Sequence, residues 1–251
     1  MFTLTQTRRV AVLTLQHGKA NALDTEFCLA LAAKFDELKS APAEAVVITG
    51  QGKIFSAGVD LLRATTSGPD YFKNFLSALA KLYTSAFFFP KPVVAAVNGH
   101  AVAGGCILVC TADRRFIAHG EARIGVTELL VGVPFPPLAF EIMRYVTTHK
   151  FFPEVIFSAA TYPPEEAVKR GLADEIVPPE QLLDFAIENA ERLAALRPAS
   201  FALTKQQMRQ PVADALERHG KRLDAATAEV WLAPETTAGM RDYVSRTFKK
   251  S

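Results

Sequence analysis

The sequence predicts an α/β fold: a core in which strands and helices alternate, then a tail of helices only. Three observations carry that expectation. Short β-branched runs bounded by polar residues, "EAVVITG" (44–50), "PVVAAVNG" (92–99) and "RRFIAHG" (114–120), read as buried strands. Amphipathic helical patterns alternate with them, so strand–turn–helix units recur across the first two-thirds of the chain. From Pro178 onward the strand pattern stops and only the helical period remains.

Taken in order, residues 2–7 and 10–16 read as two short strands. Thr25 can cap a helix running to Ser40, with Leu29, Leu31, Ala32, Phe35 and Leu38 forming much of its apolar face. The strand at 44–50 ends in glycine, and residues 69–88 form a long amphipathic helix that stops ahead of Pro90. After the strand at 92–99, residues 104–112 read as helical, and 114–120 supply the third buried strand. In the tail, breaks are expected near Pro198, Pro211 and Pro234. The tail helices are apolar along one side, so they must cover something, either the core or a neighbouring subunit.

Composition narrows the class of protein. The chain has 251 residues, 49% of them apolar, enough for one large soluble domain or one domain with an appended helical module. A formal charge of +2 gives no ground for nucleic acid or an acidic membrane surface as partner. Cys28, Cys106 and Cys110 sit in apolar segments without metal-type spacing, which reads as buried thiols in a reducing compartment. Cys106 and Cys110, four apart, would share one packed helix face. The N-terminus lacks the pattern of a signal peptide, and no apolar run reaches the roughly 20 residues of a membrane span. A cytoplasmic protein is the expectation. His17, His100, His119, His149 and His219 have no metal-ligand spacing, so no metal is expected.

Two segments share one logic. "GKIFSAGVDL" (52–61) places Ala57, Gly58 and Val59 ahead of a helical turn, and "NGHAVAGGCIL" (98–108) sets Gly104 and Gly105 at a helix start. The first turn of a helix has N–H groups without intrahelical partners and a positive dipole end, which suits a negatively charged oxygen. Small residues leave the approach open. Two such N–H groups converging on one carbonyl oxygen would make an oxyanion hole. The same glycines can serve as a tight turn or a close helix–strand contact, and Asp60 as a cap. The pattern alone leaves both uses open.

Together these segments resemble the signatures of the enoyl-CoA hydratase/isomerase (crotonase) superfamily. "IFSAGVDL" looks like the first signature, "NGHAVAGGCIL" the second and "ARIGVTELLVG" (122–132) the third. "KANAL" (19–23) is similar to the segment that wraps the CoA nucleotide, and "TYPPEEAVKRGLADEIVPPEQL" (161–182) to the family's helix and strand around Gly-Leu-Val-Asp. The resemblance covers nearly the whole chain in order. It implies a crotonase-like spiral of ββα units over residues 1–195 that binds an acyl-CoA thioester. It also implies a C-terminal helical region, 196–251, that builds a homotrimer or a dimer of trimers. The two oxyanion N–H groups fall on Val59 and Gly104, with Gly58 and Gly105 beside them. Backbone around Lys19, Ala20 and Ala22, and around Ile54 and Ala57, would hold the CoA nucleotide end. Arg246, Lys249 and Lys250 could reach a neighbour's CoA phosphates. No cofactor is implied, since CoA arrives as part of the substrate.

The chemistry turns on carboxylates. In the hydratases two glutamates flank the site, one after the second glycine motif and one in the third signature; here those positions are Ile107 and Glu128. A lone carboxylate in apolar surroundings, with Val126, Leu129 and Leu130 near it in sequence, should have a raised pKa and a basic ionised form. A single base that takes a proton from the α carbon and returns it at the γ carbon moves a double bond. That is the logic of the 3-enoyl- to 2-enoyl-CoA isomerases, which this sequence resembles at both positions. Hydration of 2-enoyl-CoA is the alternative if Asp113 or Glu141 comes round as a second carboxylate. A silent CoA-thioester-binding or assembly subunit is another. "VPFPPLAFEIMRYV" (133–146) stands where many hydratases have a Pro-Gly-x-Gly-Gly run, so Phe135 and its prolines would line or narrow the acyl end. Phe72, Phe75, Phe87 and Phe88 could extend an apolar tunnel, but their spacing is also that of plain core. Ser56 and His100 lie near the two glycine segments without forming a Ser-His-Asp pattern.

Overall fold

The chain opens with an antiparallel pair, β1 (Phe2–Thr7) and β2 (Val10–Leu15), followed by helix α1 (Thr25–Leu38). In the computed structural model, which describes residues 1–248, three ββα turns come next. The first is β3 (Ala45–Thr49), β4 (Ile54–Ser56), α2 (Leu61–Thr66) and α3 (Pro69–Phe87). The second is β5 (Val93–Val97), β6 (His100–Val102) and α4 (Gly104–Cys110). The third is β7 (Arg114–Ala118), β8 (Ile124–Gly125), α5 (Glu128–Val131) and α6 (Pro137–Val146). Helices α7 (Phe152–Ser158) and α8 (Pro164–Arg170), strand β9 (Glu175–Val177) and helix α9 (Leu182–Ala194) complete the core.

Each turn lays its first strand on one sheet and its second strand on another. The large sheet runs β1-β2-β3-β5-β7-β9, parallel from β2 onward, and the small sheet runs β4-β6-β8, also parallel. Successive turns stack in register, with Val46 opposite Val93 and Ala101 opposite Ile124. The result is a spiral, each turn displaced sideways by one strand. Strands β2, β3 and β5 of the large sheet are apolar on both faces because both are covered, whereas the edge strand β1 is exposed. Val10, Val12, Val47 and Val94 pack under α9, while Leu13, Val46, Ile48 and Ala95 face the main core.

Some local expectations are corrected. Helix α1 is capped by Asp24, whose Oδ1 accepts the Phe27 N–H at 2.7 Å, and not by Thr25. Its buried stripe is Phe27, Cys28, Leu31, Ala32, Phe35 and Leu38, and Leu29 faces outward, since the 3.6-residue period turns it off that stripe. Strand β2 stops at Leu15 and α1 at Leu38, each a residue or two early.

The tail consists of α10 (Pro198–Ala215), a π-helical turn Leu216–Gly220, α11 (Lys221–Leu232) and α12 (Pro234–Phe248). Pro198 and Pro234 open helices, where a missing N–H leaves no bond unmade. Pro211 does not break the chain; it lies inside α10. A proline there costs about 3 kcal/mol locally. In the turns before it, Lys205 and Arg209 pin the helix to Asp113, each at 2.6 Å. Helices α11 and α12 fold back on their own core: Trp231 packs edge-on to Phe72, and Arg241 Nε donates to Thr65 O at 3.0 Å. Lys249 and Lys250 lie outside the described residues. Among the described residues no helix is long and apolar enough to cross a membrane.

Candidate active site

The first glycine segment is laced to residues 20–23. The Ala57 N–H donates to Ala20 O at 2.9 Å, the Leu23 N–H to Gly58 O at 2.7 Å, and the Asp60 N–H to Leu23 O at 3.0 Å. Ser56 Oγ donates to Asn21 O and accepts the Gly58 N–H, tying the two strings together from beneath. A trans peptide points its C=O and N–H in opposite directions. Fastening Gly58 C=O to Leu23 therefore turns the Val59 N–H away from that string, and it has no acceptor among the described residues. Asp60 caps α2 by accepting the Arg63 N–H at 3.0 Å.

The second segment uses the same geometry at a helix start. Ala103 C=O accepts the Ile107 N–H at 3.1 Å, so it points along α4, and the Gly104 N–H of the same peptide points back out of the first turn. Ala103 itself is held at φ 51°, a strained value for a residue with a side chain. The glycines permit close approach: a Cβ on Gly105 would sit 2.4 Å from Ser56 O, and one on Gly58 only 3.0 Å from Gly104 N. That contact sets the Val59 and Gly104 segments side by side. Beneath them the buried Tyr83 hydroxyl donates to Gly104 O at 2.9 Å.

These segments border a cavity of about 300 Å³. Ala57 and Leu62 on its lining are exposed, so the cavity is open at both, and Ala20, Ala22, Val59, Val102 and Ala103 line it half-buried. Glu128, the first residue of α5, lines it as well and is only 6% exposed. Its Oε2 has no hydrogen-bond partner. Burial pushes its pKa from 4.5 up to about 7, while the backbone N–H groups of Glu128 and Thr127 pull the other way. Its apolar setting does not come from Leu129 and Leu130, which project outward from a single helical turn. It comes from Val131 and Val133, and from Trp231 and Tyr243 of the tail.

Other residues singled out in the sequence lie elsewhere. Lys19 is exposed and Ile54 half-buried, close in sequence to Ala20 and Ala57 but not lining the cavity. Ile107 is buried in the core one helical turn beyond Ala103, and does not line it either. Phe135 faces a separate hollow of about 450 Å³ beside Phe140 and Glu141. Phe72 and Phe75 are core residues behind Trp231, and Phe87 packs against Phe88 and Tyr145. Asp113 is held by Lys205 and Arg209 under α10, so neither it nor Glu141 reaches Glu128. Among the described residues, Asp60 is the other carboxylate on the cavity wall. Trp231 and Tyr243 were not foreseen, because the tail reads as an oligomerisation region. The one available signal was that Trp231 is the sole tryptophan of the chain.

The site thus sets a buried carboxylate with an unpartnered oxygen on the wall of an apolar cavity that Val59 and Ala103 also line, and the Val59 and Gly104 N–H groups have no acceptor among the described residues. A family model described as enoyl-CoA hydratase/isomerase matches residues 5–247. The chain belongs to the enoyl-CoA hydratase/isomerase family. A putative enoyl-CoA hydratase of Thermus thermophilus is 35% identical over 246 residues, 96% of this chain and 95% of the relative. The mouse mitochondrial enoyl-CoA delta isomerase 1 is 35% identical over 219 residues, 82% of this chain and 73% of the relative. The crystal structure of the human mitochondrial delta3-delta2-enoyl-CoA isomerase superposes with a TM-score of 0.94, covering 100% of this chain and 99% of the other. At 23% identity, that match is a likeness of fold. The spiral expected from the signatures is therefore the fold of this family member, and both hydratases and isomerases stand among its relatives.

Proposed function

We propose that the protein converts 3-enoyl-CoA to 2-enoyl-CoA, with Glu128 as the single proton shuttle and the Val59 and Gly104 N–H groups holding the thioester oxygen. The observation that carries this reading is the state of the carboxylates on the cavity wall. Glu128 is buried with a free oxygen, whereas the other, Asp60, is engaged as a helix cap. Ionised Glu128 takes a proton from the α carbon, and the electron pair moves into the thioester as an enolate. The two N–H groups meet the charge that develops on its oxygen. Glu128, now neutral, returns the proton at the γ carbon, and the double bond comes to rest between the α and β carbons. A base with a pKa near 7 suits both halves of this cycle. The backbone around Lys19, Ala20, Ala22, Ile54 and Ala57 belongs to the same reading, as the cradle for the CoA nucleotide end.

Glu128→Gln tests the reading. It should lower turnover of a 3-enoyl-CoA by at least about 100-fold, the low end for a general base, and leave acyl-CoA affinity nearly unchanged. Isomerisation at the wild-type rate would rule Glu128 out. Hydration of 2-enoyl-CoA is the second reading, favoured only by the presence of Asp60 on the wall. Side-by-side rates with crotonyl-CoA and a 3-enoyl-CoA separate the two. If hydration runs faster and is lost in Asp60→Asn, the pair of carboxylates adds water. Ile107→Glu, one turn beyond Ala103 on α4, should raise hydration if that side chain can turn into the cavity.

A further inference from the structure

We propose that Trp231 is the floor of the acyl end of this cavity and sets the longest straight acyl chain that the protein accepts. The proposal rests on the acyl-CoA reading above and adds a specificity determinant contributed by the tail. Trp231 lines the same cavity as Glu128 and at 2% exposed is the most buried residue of its lining, whereas Ala57 and Leu62 on that lining are exposed. A chain that enters from the exposed part of the lining therefore has the indole at the buried end. That indole is fixed on two sides. Its Nε1–H donates to Pro134 O at 2.9 Å, and its ring packs edge-on to Phe72 and tilted on Phe75, with centroids 6.0 and 6.3 Å away. Moving it aside would break that hydrogen bond and open an aromatic cluster, so the floor is rigid. The walls leading to it, Val131 and Val133, offer no polar partner, which suits unsubstituted hydrocarbon. Phe72 and Phe75 are buried behind it, so truncating Trp231 opens apolar space and not solvent.

Saturated straight-chain acyl-CoAs from butanoyl to hexadecanoyl test this, because they bind without turnover whichever reaction the protein performs. Trp231 is the chain's only tryptophan, so its emission reports on the floor itself. In the wild type, CoA alone should leave the emission unchanged. Affinity should rise about fourfold per added methylene, then stop rising at the length whose tail first shifts the emission. In Trp231→Ala, titrated by calorimetry, that break should move at least two carbons longer. Hexadecanoyl-CoA should gain at least tenfold over octanoyl-CoA. Trp231→Leu, which keeps more of the packing, should move the break by less in the same direction. An unmoved break in the folded variants, or a wild-type emission blind to acyl length, overturns the proposal while leaving the acyl-CoA reading intact. If the wild type binds no acyl-CoA of any length, both fall together.

Discussion

Glu128 is a carboxyl that the fold holds at a cost, and that cost depends on pH. Between about pH 4.5 and 7 the folded protein keeps the proton while the unfolded chain has released it. Stability therefore falls as pH rises through that window and is flat on either side. The shift from 4.5 to about 7 corresponds to up to about 3 kcal/mol. Glu128→Gln should accordingly be more stable than the wild type at pH 8, with the gain vanishing near pH 4, as read by denaturant melts at both values. A gain that is equal at the two pH values would mean that the folded carboxyl titrates normally. The same group governs turnover: kcat/KM should climb about tenfold per pH unit below 7 and level off above it. The position of Glu128 was legible in the sequence because it stands in a motif. Its surroundings were not, because Leu129 and Leu130 are its neighbours in sequence while Val131, Val133 and Trp231 are its neighbours in space.

At the scale of elements, the two glycine segments work only as a pair. A Cβ on Gly58 would meet Val102 O at 2.5 Å and Gly104 N at 3.0 Å, and φ is +80° there. Gly58→Ala should therefore push β4 and α4 apart and turn the Val59 N–H off its line. The expected loss in kcat approaches the ~100-fold of a missing oxyanion donor, with about 1–3 kcal/mol of stability. Gly239→Ala is the control: nothing lies within 4 Å of the new methyl, inside α12, so stability should hold or rise by up to about 1 kcal/mol. Equal losses in both variants would count against a special role for Gly58. The long strands β3, β5 and β7 could be read from the sequence because they are apolar on both faces. The small sheet could not, since β4, β6 and β8 have only 3, 3 and 2 residues and show no period. Those strands exist because the preceding turn of the spiral offers them a partner. Pro211 likewise runs against its local pattern: α10 continues through it, and the ion pairs that Lys205 and Arg209 make to the sequence-distant Asp113 appear in no local pattern.

At the scale of the whole molecule, α10 buries two cations and leaves two large apolar side chains in the open. Its charged Lys205 and Arg209 face the core and bond to Asp113, while Leu203 and Met208 are 57% and 60% exposed. Leu196, just ahead of the helix, is exposed as well. An amphipathic helix on a free surface buries its apolar residues and exposes its charged ones, so the exposed Leu196, Leu203 and Met208 are the side chains that the expected assembly would cover. Helices α11 and α12 are spent on their own core, where Trp231 and Tyr243 close the cavity. The division of labour proposed for the tail is therefore uneven: α10 for assembly, and α11 and α12 for lining the same subunit's site. The resemblance implies a trimer or a dimer of trimers, for which sedimentation should give a mass three or six times 27.3 kDa. Leu203→Glu combined with Met208→Glu should lower that mass to a single chain, because burying two carboxylates against an apolar face is costly. If α11 and α12 act within one subunit, the dissociated variant should still show the Trp231 emission change with acyl-CoA. A wild type that sediments as a single chain at micromolar concentration would refute the assembly role of α10. Loss of the emission response on dissociation would mean that a neighbouring subunit completes the lining.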